Sequence, residues 1–144
     1  WRRTLPPPSM LTFDAVSREV CTARREVTTT PLQALVLLND PQFVEAARAL
    51  AETLLVRTPA DPAARHRAAF RRLTGREPDA RETALLAQLF AEQRAIFARP
   101  PADAAAFLST GASPWNRSLP REDFAATTAV VSAIMNLDEF VTLR

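Results

Sequence analysis

The spacing of hydrophobic residues predicts helices along most of the chain. Within residues 41–56, the apolar side chains of Phe43, Ala47, Leu50 and Leu54 recur every three or four positions, which places them on one face of an α-helix. Three further segments show the same periodicity: 61–74, 79–98 and 120–135. The alternation typical of β-strands occurs only in brief stretches. We therefore expect an all-α fold, a compact bundle of about four to five helices.

Several helix ends carry local signals. Thr30 is followed by Pro31 and then by Gln33, a sequence that predicts an N-cap, a proline in the first turn and a capping box. Asn39 and Asp40 predict a sharp corner between two helices, with Asn39 as a left-handed helix end and Asp40 as the cap of the next helix.

Two later pairs resemble the same signals. Asp79 with Glu82 predicts a second capping box at the start of the helix over residues 79–98. Asn136 with Glu139 predicts a cap for a final helical turn.

The chain length of 144 residues suits one compact domain. We expect residues 1–8 to be a linker from an upstream region and residues 9–144 to be a single helical domain. Residues 9–29 show neither helical nor strand periodicity, so they predict an irregular, ordered loop with at most one short element, ahead of a bundle over residues 30–144. In the helix over residues 79–98, Leu85 and Ile96 belong to the expected apolar stripe. The predicted core residues are Phe43, Leu50, Leu54, Phe70, Leu86, Leu89, Phe90, Phe124, Val131 and Ile134.

The basic charge is modest and unevenly distributed. The formal net charge is +2, although residues 1–76 contain 12 arginines against 7 acidic residues. This half of the chain is suited to an acidic partner. Nucleic-acid binding is not expected, because the arginines predicted on the rim of the helix over residues 61–74 have one aromatic neighbour, Phe70, which belongs to the apolar face. Those arginines are Arg65, Arg67, Arg71 and Arg72.

The sequence contains a single cysteine, Cys21, and a single histidine, His66. Covalent haem attachment needs two cysteines spaced C-x-x-C and followed by a histidine, so we expect no haem c in this part of the protein. A zinc site is not expected either, because one Cys and one His cannot supply four ligands. His66 shares a helical face with Phe70, which predicts a half-buried histidine with its hydrogen bonds satisfied.

A dense polar cluster lies in and just after the irregular segment. We take five of its residues as candidates for binding a ligand or partner: Asp14, Arg18, Arg24, Arg25 and Gln33. Arginine forks pair well with carboxylates, so the cluster predicts either an internal ion-pair network or free arginines that bind an anion or an acidic surface. Cys21 lies among these arginines, which would favour a reactive thiolate, but a lone cysteine is more often a small buried side chain.

No segment carries a signature of catalysis, and the two glycines cannot build a phosphate-binding loop or a nucleophile elbow. No apolar run approaches the length of a membrane span, so we expect no membrane insertion by this chain.

Three segments resemble one known family. The first runs from Asp14 to Leu35 and continues through Leu38-Asn39-Asp40-Pro41, the second is Phe70-Arg-Arg-Leu-Thr-Gly-Arg-Glu-Pro78 with Glu82, and the third is Leu137-Asp-Glu-Phe140. In order and spacing they resemble the C-terminal part of the PSD-one family, a planctomycete-specific, cytochrome-associated domain of unknown function. Thr29 departs from the family pattern, which commonly has Asn there.

The resemblance implies a large exported protein, extracytoplasmic in location, with a cytochrome c-like domain and a partner domain upstream. Haem c would then belong to the upstream part. On this basis we expect a non-catalytic helical module that packs on the upstream domains of the same polypeptide. In the alternative interpretation, the loop over residues 14–33 completes an active or ligand-binding site whose catalytic or redox centre lies upstream.

Overall fold

A computed structural model describes residues 8–15, 28, 30–58, 60–99 and 101–142. Within these ranges the secondary structure is entirely helical, which confirms the all-α class. The helices are α1 (Pro8–Thr12), α2 (Pro31–Asn39), α3 (Pro41–Arg57), α4 (Pro62–Thr74), α5 (Ala80–Phe97), α6 (Pro101–Leu108), α7 (Arg121–Met135) and α8 (Asp138–Val141). The four long helices lie where the periodicity predicts them, and the short ones connect and cover them.

Helix α7 lies at the centre of the bundle, where it packs against α3, α4, α5 and α6. Ten of its fifteen residues are buried, so it is enclosed on almost every side, as a core helix should be. Three of the buried residues are polar, namely Thr127, Thr128 and Ser132. The hydroxyl of Thr127 donates to the carbonyl oxygen of Asp123 at 2.7 Å, and that of Thr128 donates to Phe124 at 2.9 Å. The burial of these two threonines therefore leaves neither hydroxyl unsatisfied.

Most of the predicted core is confirmed. Phe43, Leu50 and Leu89 are partly buried against the core, and the other seven predicted residues are buried within it. The expectation for α5 is partly wrong, because Leu85 and Ile96 are each 55% exposed. Helix α5 buries only Leu86 and Phe90. Leu85 is one position away from Leu86, so its side chain points about 100° away from that of Leu86 around the helix.

The capping boxes predicted at Thr30 and at Asp79 are confirmed. The Thr30 hydroxyl accepts the N–H of Gln33 at 3.4 Å, and the Gln33 side chain accepts the N–H of Thr30 at 3.1 Å. The Asp79–Glu82 box forms in the same way. Asn39 is not a left-handed helix end, since it remains helical and its side chain donates to the carbonyl of Leu35.

Two other local predictions are wrong. Asn136 ends α7, and α8 begins after Leu137 without a side-chain cap, because Glu139 pairs instead with Arg76. Arg65 is 1% exposed rather than on a basic rim: it donates to the carbonyl of Thr58 at 3.1 Å and lies over the ring of Phe90.

The prediction for His66 also fails in both of its parts. The residue is 5% exposed instead of half-buried, and its Nε2 has no hydrogen-bond partner among the described residues.

Candidate interaction surface

Hydrogen bonds join Asp14 to Thr28 in the N-terminal part of the chain. Asp14 has a left-handed backbone, with φ of 56°, which turns the chain after α1. One of its carboxylate oxygens accepts the backbone N–H of Thr28 at 2.8 Å, and the Thr28 hydroxyl donates to the carboxylate at 2.9 Å. Residues fourteen positions apart are thereby held together, so Asp14 has a structural role in the fold.

A hydrogen bond from Gln33 of α2 attaches the end of α1 to the bundle. The Gln33 side chain is 4% exposed, and its Nε2 donates to the carbonyl oxygen of Thr12 at 2.9 Å while its Oε1 serves the capping box. The ring of Phe13 also packs against Phe43 of α3, with centroids 6.1 Å apart. The hydrogen bond from Gln33 thus joins the end of α1 to α2, and the residue that follows α1 packs on α3.

Two of the five predicted binding residues, Asp14 and Gln33, are therefore brought to the same side of the fold, and both have partners within the chain. The other three are Arg18, Arg24 and Arg25, and they lie outside the described residues. The same holds for Cys21, the low-ranking nucleophile candidate. A ligand- or partner-binding role for these arginines stays a prediction.

The structure reveals an exposed apolar surface on the same two helices. Leu32, Leu35 and Leu38 follow one another at intervals of three, so they share the outer face of α2, and they are 56%, 55% and 46% exposed. Helix α1 adds Met10 at 40% and Leu11 at 55%. We call these five residues the α1–α2 face. From Pro31 to Asn39 the chain contains no charged residue, so on α2 this face carries no charge.

Sequence reasoning missed this surface, although α2 carries a signal for it. Only Gln33 and Asn39 are polar among the nine residues of the helix. A helix that is apolar on all sides is normally buried on all sides. Its inner side, with Gln33 and Leu37, is buried in this chain, whereas its outer side is not.

The other polar clusters are structural. Arg76 pairs with Glu82 at 2.6 Å and with Glu139 at 3.0 Å, and its guanidinium lies 4.8 Å from the ring centroid of Phe70. The hydrogen bond from Arg76, helped by the N–H of Asp79, lowers the pKa of Glu82 to about 2. This arrangement fastens α8 to the corner between α4 and α5.

A second cluster holds the loop after α6. The carboxylate of Glu45 accepts the N–H groups of Ala112 and Ser113, each at 2.9 Å, and hydrogen bonds from Ser113 and Ala112 lower the pKa of Glu45 to about 2. Arg48, which is buried, donates to the carbonyls of Leu108 at 2.6 Å and Ser113 at 2.8 Å. Both side chains are thus committed to shaping the loop.

Neither a metal site nor a membrane span is visible in the described part of the chain. Its His, Cys, Asp and Glu residues do not form a group of three or more that could hold a metal ion. None of its helices combines the length and the hydrophobicity needed to cross a bilayer.

The sequence model of the PSD1 family, a protein of unknown function (DUF1553), matches residues 1–90. The chain belongs to the PSD1 family. The PSD1 match includes the whole α1–α2 face and ends within α5, so that α6, α7 and α8 lie beyond it. No curated protein and no solved structure matches the chain.

The structure also relates the motifs that resemble the PSD-one pattern. Arg76, from the second motif, pairs with Glu139, from the third, which lies outside the PSD1 match. These motif residues therefore stabilise the fold where they meet.

Proposed function

We propose that this chain is a non-catalytic helical module, the C-terminal part of its PSD1 domain, which packs on upstream domains of a large exported, cytochrome-linked polypeptide. The α1–α2 face is the contact surface in this proposal. The observation that supports it is the exposure of five large apolar side chains on two adjacent helices that are themselves firmly attached to the bundle.

The physical argument rests on the cost of leaving this face in water. Burying a leucine completely is worth roughly 1.5–3 kcal/mol. The outer leucines of α2, Leu32, Leu35 and Leu38, are each about half exposed, so covering the rest would contribute on the order of 1 kcal/mol per side chain. Single exposed leucines need no explanation, but contiguous apolar patches mark interaction sites. Because α2 carries no charge, its partner should present an apolar surface of its own.

The choice of occupant follows from the position of the face. The face belongs to the N-terminal part of the chain, next to the residues that the sequence predicts to be a linker from the upstream region. A contact within one polypeptide also benefits from a high effective concentration, and in this proposal the face is strong enough to keep the domains together after the link between them is cut.

A haem c, if the polypeptide carries one, would bind upstream. In this chain His66 is 5% exposed and packs against the ring of Phe90, with centroids 4.9 Å apart, so it does not fit the role of an axial ligand. No chemical step is therefore assigned to this chain.

In the alternative, the loop over residues 14–33 completes an active or ligand-binding site. Asp14 and Gln33 do not favour it, because their polar atoms are engaged within the fold. This alternative then depends on Arg18, Arg24 and Arg25. It predicts that the contact between this chain and the upstream region weakens as the salt concentration rises.

The test uses the full-length polypeptide, cleaved by limited proteolysis between the upstream region and this chain and then analysed by gel filtration. We expect the two pieces to co-elute, in 1 M NaCl as well as at low salt. The double variant Leu35→Glu/Leu38→Glu should weaken the contact by at least about tenfold, since each change places a charge in an apolar interface.

Leu85→Glu is the matched control, because Leu85 is as exposed as Leu35 but lies on α5. It should leave the pieces together. The proposal fails if wild-type pieces separate after cleavage. It also fails if the pieces of the α2 double variant stay together while Arg18→Gln, Arg24→Gln or high salt separates them, a result that would favour the alternative.

A further inference from the structure

A small, partly open cavity lies between α4 and α5, and His66 lines part of it. Its volume is about 20 Å³, and it is lined from α4 by Ala63, His66 and Arg67 and from the α5 side by Pro78, Thr83, Leu86 and Ala87. This is room for about one water molecule. An imidazolium in the same place would lack the hydration shell that a cation needs.

The immediate contacts of His66 suit a neutral ring. One face packs against Phe90, and Nε2 is buried without a hydrogen-bond partner in the described part of the chain. The α5 side of the cavity contributes the hydroxyl of Thr83 and otherwise only apolar side chains. A proton on Nε2 would therefore find no carboxylate lining the cavity.

The charged groups around His66 also disfavour a positive charge on its ring. Arg65 is the neighbouring residue and is buried beside the same Phe90 ring, and Arg67 lines the cavity. The opposing charge is Asp61, whose carboxylate already caps α4 by accepting the N–H of Ala64 at 3.0 Å. On α7, Asp123 pairs with Arg94 of α5 and acts on Arg65. No described group of α3 or α8 is among those that shift His66.

We propose that the contact between α4 and α5 around His66, called the latch below, is sensitive to acid. The two helices stay packed together there while His66 is neutral, and they separate when its imidazole takes up a proton. Opening would give the imidazolium access to water and separate it from the Arg65 guanidinium. It would also expose the ring of Phe90, an α5 residue that is buried while the two helices are packed together.

The direction and size of the effect follow from the burial of the ring. Burial, followed by the positive charge of Arg65, lowers the pKa of His66 from 6.5 to about 4. Because the closed form binds the proton more weakly, its advantage is complete above pH 6.5 and is lost as the pH falls towards 4. Below pH 4, protonation should favour the open form by roughly 300-fold relative to neutral pH.

The test exploits the fact that His66 is the only histidine. Its ring signals in an NMR titration of the whole chain need no assignment by mutation, and we expect a midpoint near pH 4 to 5. Amide protection factors, which correct for the intrinsic pH dependence of exchange, should fall between pH 6.5 and 4.5 in α4 and α5 before they fall in α3 and α7. In His66→Gln, which cannot be protonated, this local loss should be absent.

A midpoint at pH 6 or above would overturn the latch, because the ring would then be as easily protonated as in water. A loss of protection shared equally by all four long helices would overturn it as well. The NMR titration uses the wild-type chain, so it decides the question even if His66→Gln does not fold.

Discussion

The PSD1 match ends at residue 90, yet the core of the structure depends on α7, which lies beyond that point. We therefore predict that a fragment of residues 1–99, which retains the complete α5, does not fold as a cooperative unit. Without α7, the inner sides of α3, α4 and α5 would lose the helix against which all three pack.

The magnitude can be worked from the buried side chains of α7. Five large apolar residues of this helix are at most 5% exposed: Phe124, Val130, Val131, Ile134 and Met135. At roughly 1.5–3 kcal/mol each, their burial contributes on the order of 7–15 kcal/mol. This equals the whole net stability of a typical domain, about 5–15 kcal/mol, before the newly exposed partner surfaces are counted.

Thermal unfolding followed by far-ultraviolet circular dichroism checks this prediction, with amide dispersion in an NMR spectrum as a second measure. A fragment of residues 1–136 is the control. It keeps α7 and loses α8, with the partly buried Phe140 and the Arg76–Glu139 pair. An exposed ion pair of this kind is worth about 0–1 kcal/mol, so the control should lose far less stability than the 1–99 fragment. A cooperative melt of the 1–99 fragment near that of the control would refute the argument and would make residues 1–99 an autonomous domain.

Three further sets of substitutions test individual features. Thr30→Ala removes the cap of α2 and should lower the free energy of unfolding by about 0.5–2 kcal/mol, measured by calorimetry. Gly111→Ala should lower it by roughly 1–3 kcal/mol in urea titrations, because Gly111 has φ of 103° and an added Cβ would collide with Glu45. Replacing loop arginines by Gln should leave the melting temperature unchanged if they serve a ligand or partner, whereas a loss of about 2–5 kcal/mol, as for a core Leu→Ala change, would indicate an internal network. Those arginines are Arg18, Arg24 and Arg25.

The features that the sequence predicted correctly depend on residues close together along the chain. Thr30 caps α2 and Asp79 caps α5 because each side chain reaches an N–H three residues ahead, whatever the rest of the fold does. Likewise, the spacing of apolar residues reports which segments are helical without reference to their partners. These predictions needed no tertiary information.

The errors concern residues whose environment is decided by packing between helices. Leu85 belongs to the apolar stripe of α5, but α5 covers the core with one narrow side and leaves Leu85 in water. Arg65 shows the opposite case, since the carbonyl of Thr58 and the ring of Phe90 accommodate an arginine that the sequence places on a solvated rim. Neither outcome can be read from the periodicity of a single helix.

The candidate site shows the same division between local and tertiary information. The sequence marks Asp14 and Gln33 as polar residues in and just after an irregular segment, and such residues serve equally well to hold a loop or to bind a partner. In the structure both side chains have internal partners, Thr28 and Thr12, which supports the first of these roles. The leucines on the outer face of α2 gain no such partners, so their exposure is the stronger indication of an interaction. Asp14 and Gln33 thus help to hold the described part of the segment, and the exposed leucines of α2 are the place where we propose that a partner binds.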